Sequence, residues 1–285
     1  MKDIRPEVIT LQIGDTDMQY LQYPGDGPPL VMLHATGFLP WLWHPIAREL
    51  SSKYRVIAPY FCDHRTSAPE EGGLSWAVLA KDLSELCRSL SLKRPYLVGH
   101  SMGATVVTIA HTTEGLDAEK IALIEPIFLP QFIYKSGLTV EQHPLASKSI
   151  KRRNAWDDET EAKNYLHSKK MFEKWDEEMM DLYIQYGMVG GEHGGLVLAC
   201  HPRHEASLFM GSVHFDPWPV LGTIRCPVLV IEGEVSENRN FINLPDIAGK
   251  IPRGQYRLVR EAGHLVPQER PAEVTAILAE FFGSQ

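Results

Sequence analysis

The stretch PYLVGHSMGATVVTIAH, residues 95–111, runs a short apolar segment straight into Gly99-His100-Ser101-Met102-Gly103 and then into a helical pattern. A serine on a sharp strand-to-helix turn must adopt a strained backbone, and small residues two positions to either side relieve the clash. Such a turn lifts the hydroxyl out of the sheet. It also sets it at a helix N-terminus, whose dipole favours the negative charge that develops in acyl transfer. As five letters, G-x-S-x-G also arises as an ordinary glycine-rich turn. Its placement between a buried strand and a helix makes Ser101 a candidate nucleophile, with His100 beside it as a packing residue.

Outward from this turn the chain repeats one rhythm. Apolar runs at 30–33, 54–58, 95–98, 121–124, 227–231 and 256–259 are short, bounded by turn residues, and suit strands covered on both faces. Helical patterns at 41–51, 75–92, 102–111 and 271–282 separate most of them. In the second, Leu79, Leu83, Leu86 and Leu90 recur at helical spacing behind Ser75, a suitable N-cap. Segments 8–13 and 18–23 alternate around Gly14-Asp15 and predict a hairpin. The sum is an α/β architecture: a mostly parallel sheet with helices on both faces.

From about 127 to 216 the strand signal stops and the chain becomes charged and helical. This predicts a core of residues 1–126 and 217–285 interrupted by a helical insertion. Phe172, Trp175, Met179, Tyr183 and Tyr186 fall three or four apart along one helical stripe. The stripe reads either as packed core or as the underside of a lid over an apolar pocket. On the second reading His34, Phe38, Trp175, Met179 and Tyr183 line the pocket.

Composition narrows the function. The chain has 285 residues, 44% hydrophobic and 22% charged, with a formal net charge of −8. A net-negative chain whose only basic cluster is KSIKRR, 148–153, is a poor nucleic-acid binder. Cys62, Cys87, Cys200 and Cys226 form no CxxC pair and read as free thiols in a reducing compartment. The start MKDIRPEVIT has no apolar leader core, and no run nears the roughly 18 apolar residues of a membrane span. The expectation is a soluble, cytoplasmic protein with a small-molecule substrate and no membrane or nucleic-acid partner. Cys200, His201, His204 and His214 lie close in sequence, but Pro202 interrupts them and no standard zinc spacing appears, so no metal and no cofactor are expected.

The chain resembles the α/β-hydrolase superfamily over nearly its full length. Beside the serine turn, His34-Ala35-Thr36-Gly37 resembles the family's His-Gly loop, and Gly263-His264-Leu265-Val266-Pro267 resembles the loop carrying its histidine. The resemblance implies Ser101 as nucleophile, His264 as general base, and an oxyanion hole made by the backbone N–H groups of Thr36 and Met102. Ala35 stands where the family usually has glycine, which puts that loop's backbone in question, because alanine resists positive φ. The stretch 60–67 lacks the glycines of the family's corresponding turn.

The acid is harder to assign. The family commonly places it three residues past a glycine after the strand that ends here at Ile231. In VIEGEVSENRN, 230–240, that position is Ser236, which carries no charge. The expectation passes to the next residue, Glu237, with Glu125, after the 121–124 run, as its chief rival and Glu234 behind it. The implied activity is that of a carboxylesterase-type serine hydrolase acting on an ester or thioester of a small-to-medium apolar substrate. Two alternatives stay open: a carbon–carbon bond hydrolase on a ring-cleavage diketone, and a small-molecule receptor that keeps the triad. Oligomeric state stays undetermined.

Overall fold

A computed structural model describes residues 4–61 and 64–284. Cys62 and Asp63, within the 60–67 stretch, lie outside the described residues. The chain opens with the expected hairpin, β1 (Glu7–Ile13) and β2 (Thr16–Gln22), turned by Gly14 at φ +54°. Then come β3 (Pro29–Leu33), α1 (His44–Leu50), β4 (Arg55–Pro59), α2 (Trp76–Ser89), β5 (Tyr96–His100), α3 (Met102–Thr113) and β6 (Ile121–Ile124). The segment that follows carries α4 (Pro144–Ser149), α5 (Glu159–His167), α6 (Glu177–Gly187), β7 (Met188–Gly190), β8 (Leu196–Leu198) and α7 (Pro202–Met210). The chain closes with β9 (Val228–Gly233), α8 (Leu244–Lys250), β10 (Gly254–Val259), α9 (Val266–Glu269) and α10 (Pro271–Gly283).

Eight strands make one sheet in the order β1-β2-β4-β3-β5-β6-β9-β10. The hairpin and its junction with β4 are antiparallel; the pairs from β4 to β10 are parallel. The apolar runs became strands because helices cover both faces: β6 and β9 are buried at every residue. In α2 the Ser75 hydroxyl accepts the Ala77 N–H, and Leu79, Leu83 and Leu86 are fully buried. Register aligns the strand ends that matter. Leu33 pairs with Gly99, His100 with Ile124, and Ile124 with Ile231. The residues that follow these partners leave the sheet side by side.

The segment between β6 and β9 differs from expectation in one respect. It is mostly helical, but β7 and β8 form a two-stranded antiparallel sheet of their own, extended by a bridge between Trp156 and Leu196. Glycines at 190, 191, 194 and 195 weaken the strand pattern of this stretch, which falls inside the region read as helical. The segment is fastened to the rest by the Arg48–Glu178 ion pair and by backbone bonds from Asp176 N–H to Gln268 O (2.9 Å) and Leu74 N–H to Ser207 O (3.1 Å). Cys87, Cys200 and Cys226 are buried free thiols. Among the described residues, no helix is long and apolar enough to cross a membrane.

Candidate active site

Ser101 sits between β5 and α3 at φ 55°, ψ −116°, a conformation that side-chain-bearing residues rarely adopt. Its flanking glycines are demanded by contact. A Cβ on Gly99 would run into the backbone of Gly103 and Ala104, and one on Gly103 into the carbonyls of Leu33 and His34. The same contacts press the loop after β3 against the first turn of α3.

His264 faces the serine. Ser101 Oγ–H donates to His264 Nε2 at 3.0 Å, and on the far side of the ring Nδ1–H donates to Glu125 Oε2 at 3.0 Å. For Nε2 to accept the serine proton, Nδ1 must carry the ring hydrogen, and a carboxylate at that nitrogen selects this tautomer. The Asn238 amide also lies 2.9 Å from Nδ1. With Nδ1 protonated, that amide meets it as an acceptor, through its oxygen. His100 is buried beside them, its ring 5.4 Å from that of His264, and its Nε2–H donates to the His264 carbonyl at 2.9 Å. Burial holds its pKa down at about 3, so it remains neutral and braces the histidine loop.

The acid expected at Glu237 is displaced by this geometry. Its side chain is 86% exposed and lies 3.8 Å from Lys170 Nζ, whereas Glu125 occupies the place beside His264. The reason lies in the sheet. Because His100 pairs with Ile124, Ser101 and Glu125 emerge together from adjacent strands, and Glu125 turns at φ 49°. Glu237 instead opens the short 3-10 turn Glu237–Asn240, exposed at the mouth of the cleft beside His264. Glu234 binds the Glu261 N–H at 3.0 Å, away from the ring.

In the 34–37 loop, the left-handed residue is Gly37 at φ +77°, and Ala35 is not among the positive-φ residues. Alanine therefore costs the loop nothing. His34 is not a pocket wall: it is 2% exposed, its Nδ1–H donates to Ala35 O (2.8 Å), and its Nε2 accepts the Phe61 N–H (3.0 Å). Burial lowers its pKa to about 4. A Cβ on Gly37 would meet the carboxylate of Glu205, which accepts from Arg152 Nη1 at 2.8 and 2.9 Å and from Ser149 Oγ. Thr36 lies in the loop after β3, whose His34 carbonyl faces Gly103, and the Met102 N–H, first in its helix, has no intrahelical acceptor.

Phe38, Trp175, Met179 and Tyr183 differ from expectation. Phe38 packs edge-on against Trp175 and Tyr183, with ring centres 5.5 and 5.7 Å apart, and Met179 is fully buried. They form a closed aromatic cluster joining α6 to the loop after β3. The open cleft beside His264, about 490 Å³, is lined by others, among them Lys170, Met171, Lys174, Val235 and Leu265. Met171 and Val235 are about half exposed, a signal that sequence periodicity alone does not show. Among the described residues, no group of three His, Cys, Asp or Glu side chains is arranged to hold a metal ion.

With fold and site in place, the profile of the alpha/beta hydrolase family matches residues 30–277. The chain belongs to that family. This alpha/beta hydrolase is 23% identical to an uncharacterized carboxylesterase of Bacillus subtilis, over 92% of this chain and 81% of that one. It is 22% identical to the (E)-2-((N-methylformamido)methylene)succinate hydrolase of Acinetobacter baylyi, over 93% and 94% of the two chains. Among solved structures it superposes on E-2-(acetamidomethylene)succinate hydrolase with a TM-score of 0.82, covering 98% of this chain and all of that one at 19% identity. It also matches a thermophilic esterase from Thermogutta terrifontis, with a TM-score of 0.73 over 97% and 98% of the two chains at 19% identity. Kinship makes it a hydrolase enzyme, and its fold is that of the family.

Proposed function

We propose that this alpha/beta hydrolase cleaves carboxylic esters of small-to-medium apolar acids through an acyl-enzyme. Ser101 is the nucleophile, His264 the general base and Glu125 the acid. The observation that carries this reading is the continuous relay Ser101 Oγ–His264–Glu125, with 3.0 Å at each step. Ser101 attacks the ester carbonyl as its proton passes to His264 Nε2. The tetrahedral oxyanion is held by the N–H groups of Thr36 and Met102, each donor of this kind being worth roughly 3–4 kcal/mol to the transition state. The imidazolium, stabilised by Glu125, protonates the departing alcohol. Water then enters by the same route, and its attack on the acyl-serine releases the acid.

The surroundings favour an apolar acyl group. A substrate carboxylate needs an uncommitted cation; of the two lysines lining the cleft, Lys170 lies 3.8 Å from the Glu237 carboxylate and Lys174 Nζ donates to the Glu261 carbonyl at 2.9 Å. Lys169 lies over the Tyr165 ring, Arg203 pairs with Glu70, and half-buried Arg152 is neutralised by Glu205. Met171, Val235 and Leu265 instead give the cleft at His264 an apolar rim. The 127–216 segment serves as the cap over this site. A fluorophosphonate probe, followed by p-nitrophenyl esters of increasing chain length, tests the reading. Labelling and turnover that vanish together in Ser101→Ala support it; labelling retained in that variant refutes it, and absence of turnover on every ester overturns the ester reading in favour of the carbon–carbon bond hydrolase or the receptor.

A further inference from the structure

We infer that Ser236 is a positioning residue for the acid: its hydroxyl fixes the Glu125 carboxylate toward His264 from a place where a carboxylate would itself reach the ring. This rests on the serine-hydrolase reading. Glutamate reaches the histidine on a flexible side chain, so an oxygen held within hydrogen-bonding range must be fixed by something else. Two donors besides His264 hold the carboxylate. Oε1 takes the Gly233 N–H at 2.7 Å, and Oε2 takes the Ser236 O–H at 2.7 Å together with the His264 Nδ1–H.

The hydroxyl is itself held. Ser236 is 4% exposed, its backbone N–H donates to Gly233 O (3.1 Å), and its Oγ accepts the Asn238 N–H (3.4 Å). With a lone pair engaged by Asn238, the single hydroxyl proton is directed at Glu125. Backbone strain at Glu125 sets the direction of the side chain, Gly233 pins one oxygen, and Ser236 pins the other. Ser236 Oγ and His264 Nδ1 contact the same oxygen, so a single carboxylate oxygen separates the hydroxyl from the ring.

Capping of the 237–240 turn is the competing role for Ser236, and the two roles separate by substitution. Ser236→Asp keeps the cap and brings a charge; Ser236→Asn keeps the cap without one. In Glu125→Gln, the amide keeps its Gly233 bond through Oε1 and so turns its NH₂ toward His264, donor against donor. With Ser236→Asp added, that NH₂ and the Nδ1–H both gain an acceptor.

The experiment is ester turnover by purified full-length variants. Ser236→Ala is expected to lower kcat roughly tenfold at unchanged KM, as loss of a hydrogen bond to a charged group does. Ser236→Thr, which keeps the hydroxyl, is expected to retain most of kcat. Glu125→Gln/Ser236→Asp should exceed Glu125→Gln by about tenfold or more, while Glu125→Gln/Ser236→Asn should not. Full kcat in Ser236→Ala, or equal turnover by the Asp and Asn double variants, overturns the inference. Loss of probe labelling in Ser101→Ala, measured alongside, shows that such a failure belongs to Ser236 and not to the serine-hydrolase reading.

Discussion

Glu125 Oε2 lies 3.0 Å from His264 Nδ1 although 139 residues separate them in the chain. The contact follows from two adjacent strands ending level and from the loop after β10 folding back across them. Glu125→Gln is therefore expected to lower kcat by about two to four orders of magnitude, because the amide favours the wrong tautomer, with fluorophosphonate still reaching Ser101. Glu237→Gln should leave kcat within about twofold, since an exposed carboxylate near a lysine contributes little. Steady-state kinetics on the pair decide the matter; collapse in Glu237→Gln alone would return the acid to the outer loop.

The aromatic cluster and the cleft rim should part company under mutation. Met179→Ala leaves a cavity in a closed cluster and is expected to cost about 2–5 kcal/mol of stability with chain-length preference unchanged. Met171 and Val235 are half exposed on the rim, so bulkier or polar replacements there should shift preference among esters while moving the melting temperature little. Denaturant midpoints and kcat/KM ratios across the ester series provide both readouts. Altered preference in Met179→Ala would place the cluster in the pocket after all.

Gly37→Ala should be severe. Its φ of +77° is unfavourable for alanine, and the new methyl would strike the Glu205 carboxylate held by Arg152 and Ser149. The strain alone is about 1–3 kcal/mol. The loop is expected to yield first, lowering kcat together with stability. Glu205→Ala in the same background would remove the collision but leave half-buried Arg152 without its carboxylate, so it should not restore full stability. Urea midpoints and kcat for the single and double variants check this; a double variant restored to the parent midpoint would overturn it.

Acid should weaken the fold before most carboxylates are protonated. His34 and His100 are buried, and desolvation lowers their pKa values to about 4 and about 3 from the ordinary 6.5. The unfolded chain binds protons that the folded one refuses. Stability from these groups is thus complete above pH 6.5 and declines as pH falls toward their folded values. Each histidine contributes a slope of roughly 1.4 kcal/mol per pH unit in that window. Urea midpoints between about pH 7.5 and 5 measure it; a level profile would mean that the rings are already charged or hydrated.

Much of this was legible beforehand, and the misreadings have physical causes. Gly99 and Gly103 announced the serine turn because backbone contact admits nothing larger, and that constraint is local. The acid was not local. Its identity depends on which strand ends lie side by side, and Glu125 and Glu237 look alike as letters behind apolar runs. The pairing of His100 with Ile124 decides between them, and pairing emerges only with the sheet assembled. Periodicity placed Met179, Tyr183 and Tyr186 correctly on one helix, but Phe172 and Trp175 precede it, in a separate 3-10 turn and the link that follows, and spacing does not say whether the space opposite is empty or filled by Phe38.

The backbone amides of Ser101 and Glu125 donate to the carbonyls of Ile124 and Ile231, both at 2.9 Å, at the C-terminal ends of the central strands. Hydrogens at these two positions are thereby tied to the central strands of the sheet. They should exchange with deuterium only when the whole domain opens, while amides of the β7–β8 ribbon exchange through smaller fluctuations. The reactive groups would then keep their spacing in any state that has loosened the outer segment but kept the sheet. Catalytic competence should consequently outlast the first structural changes on heating.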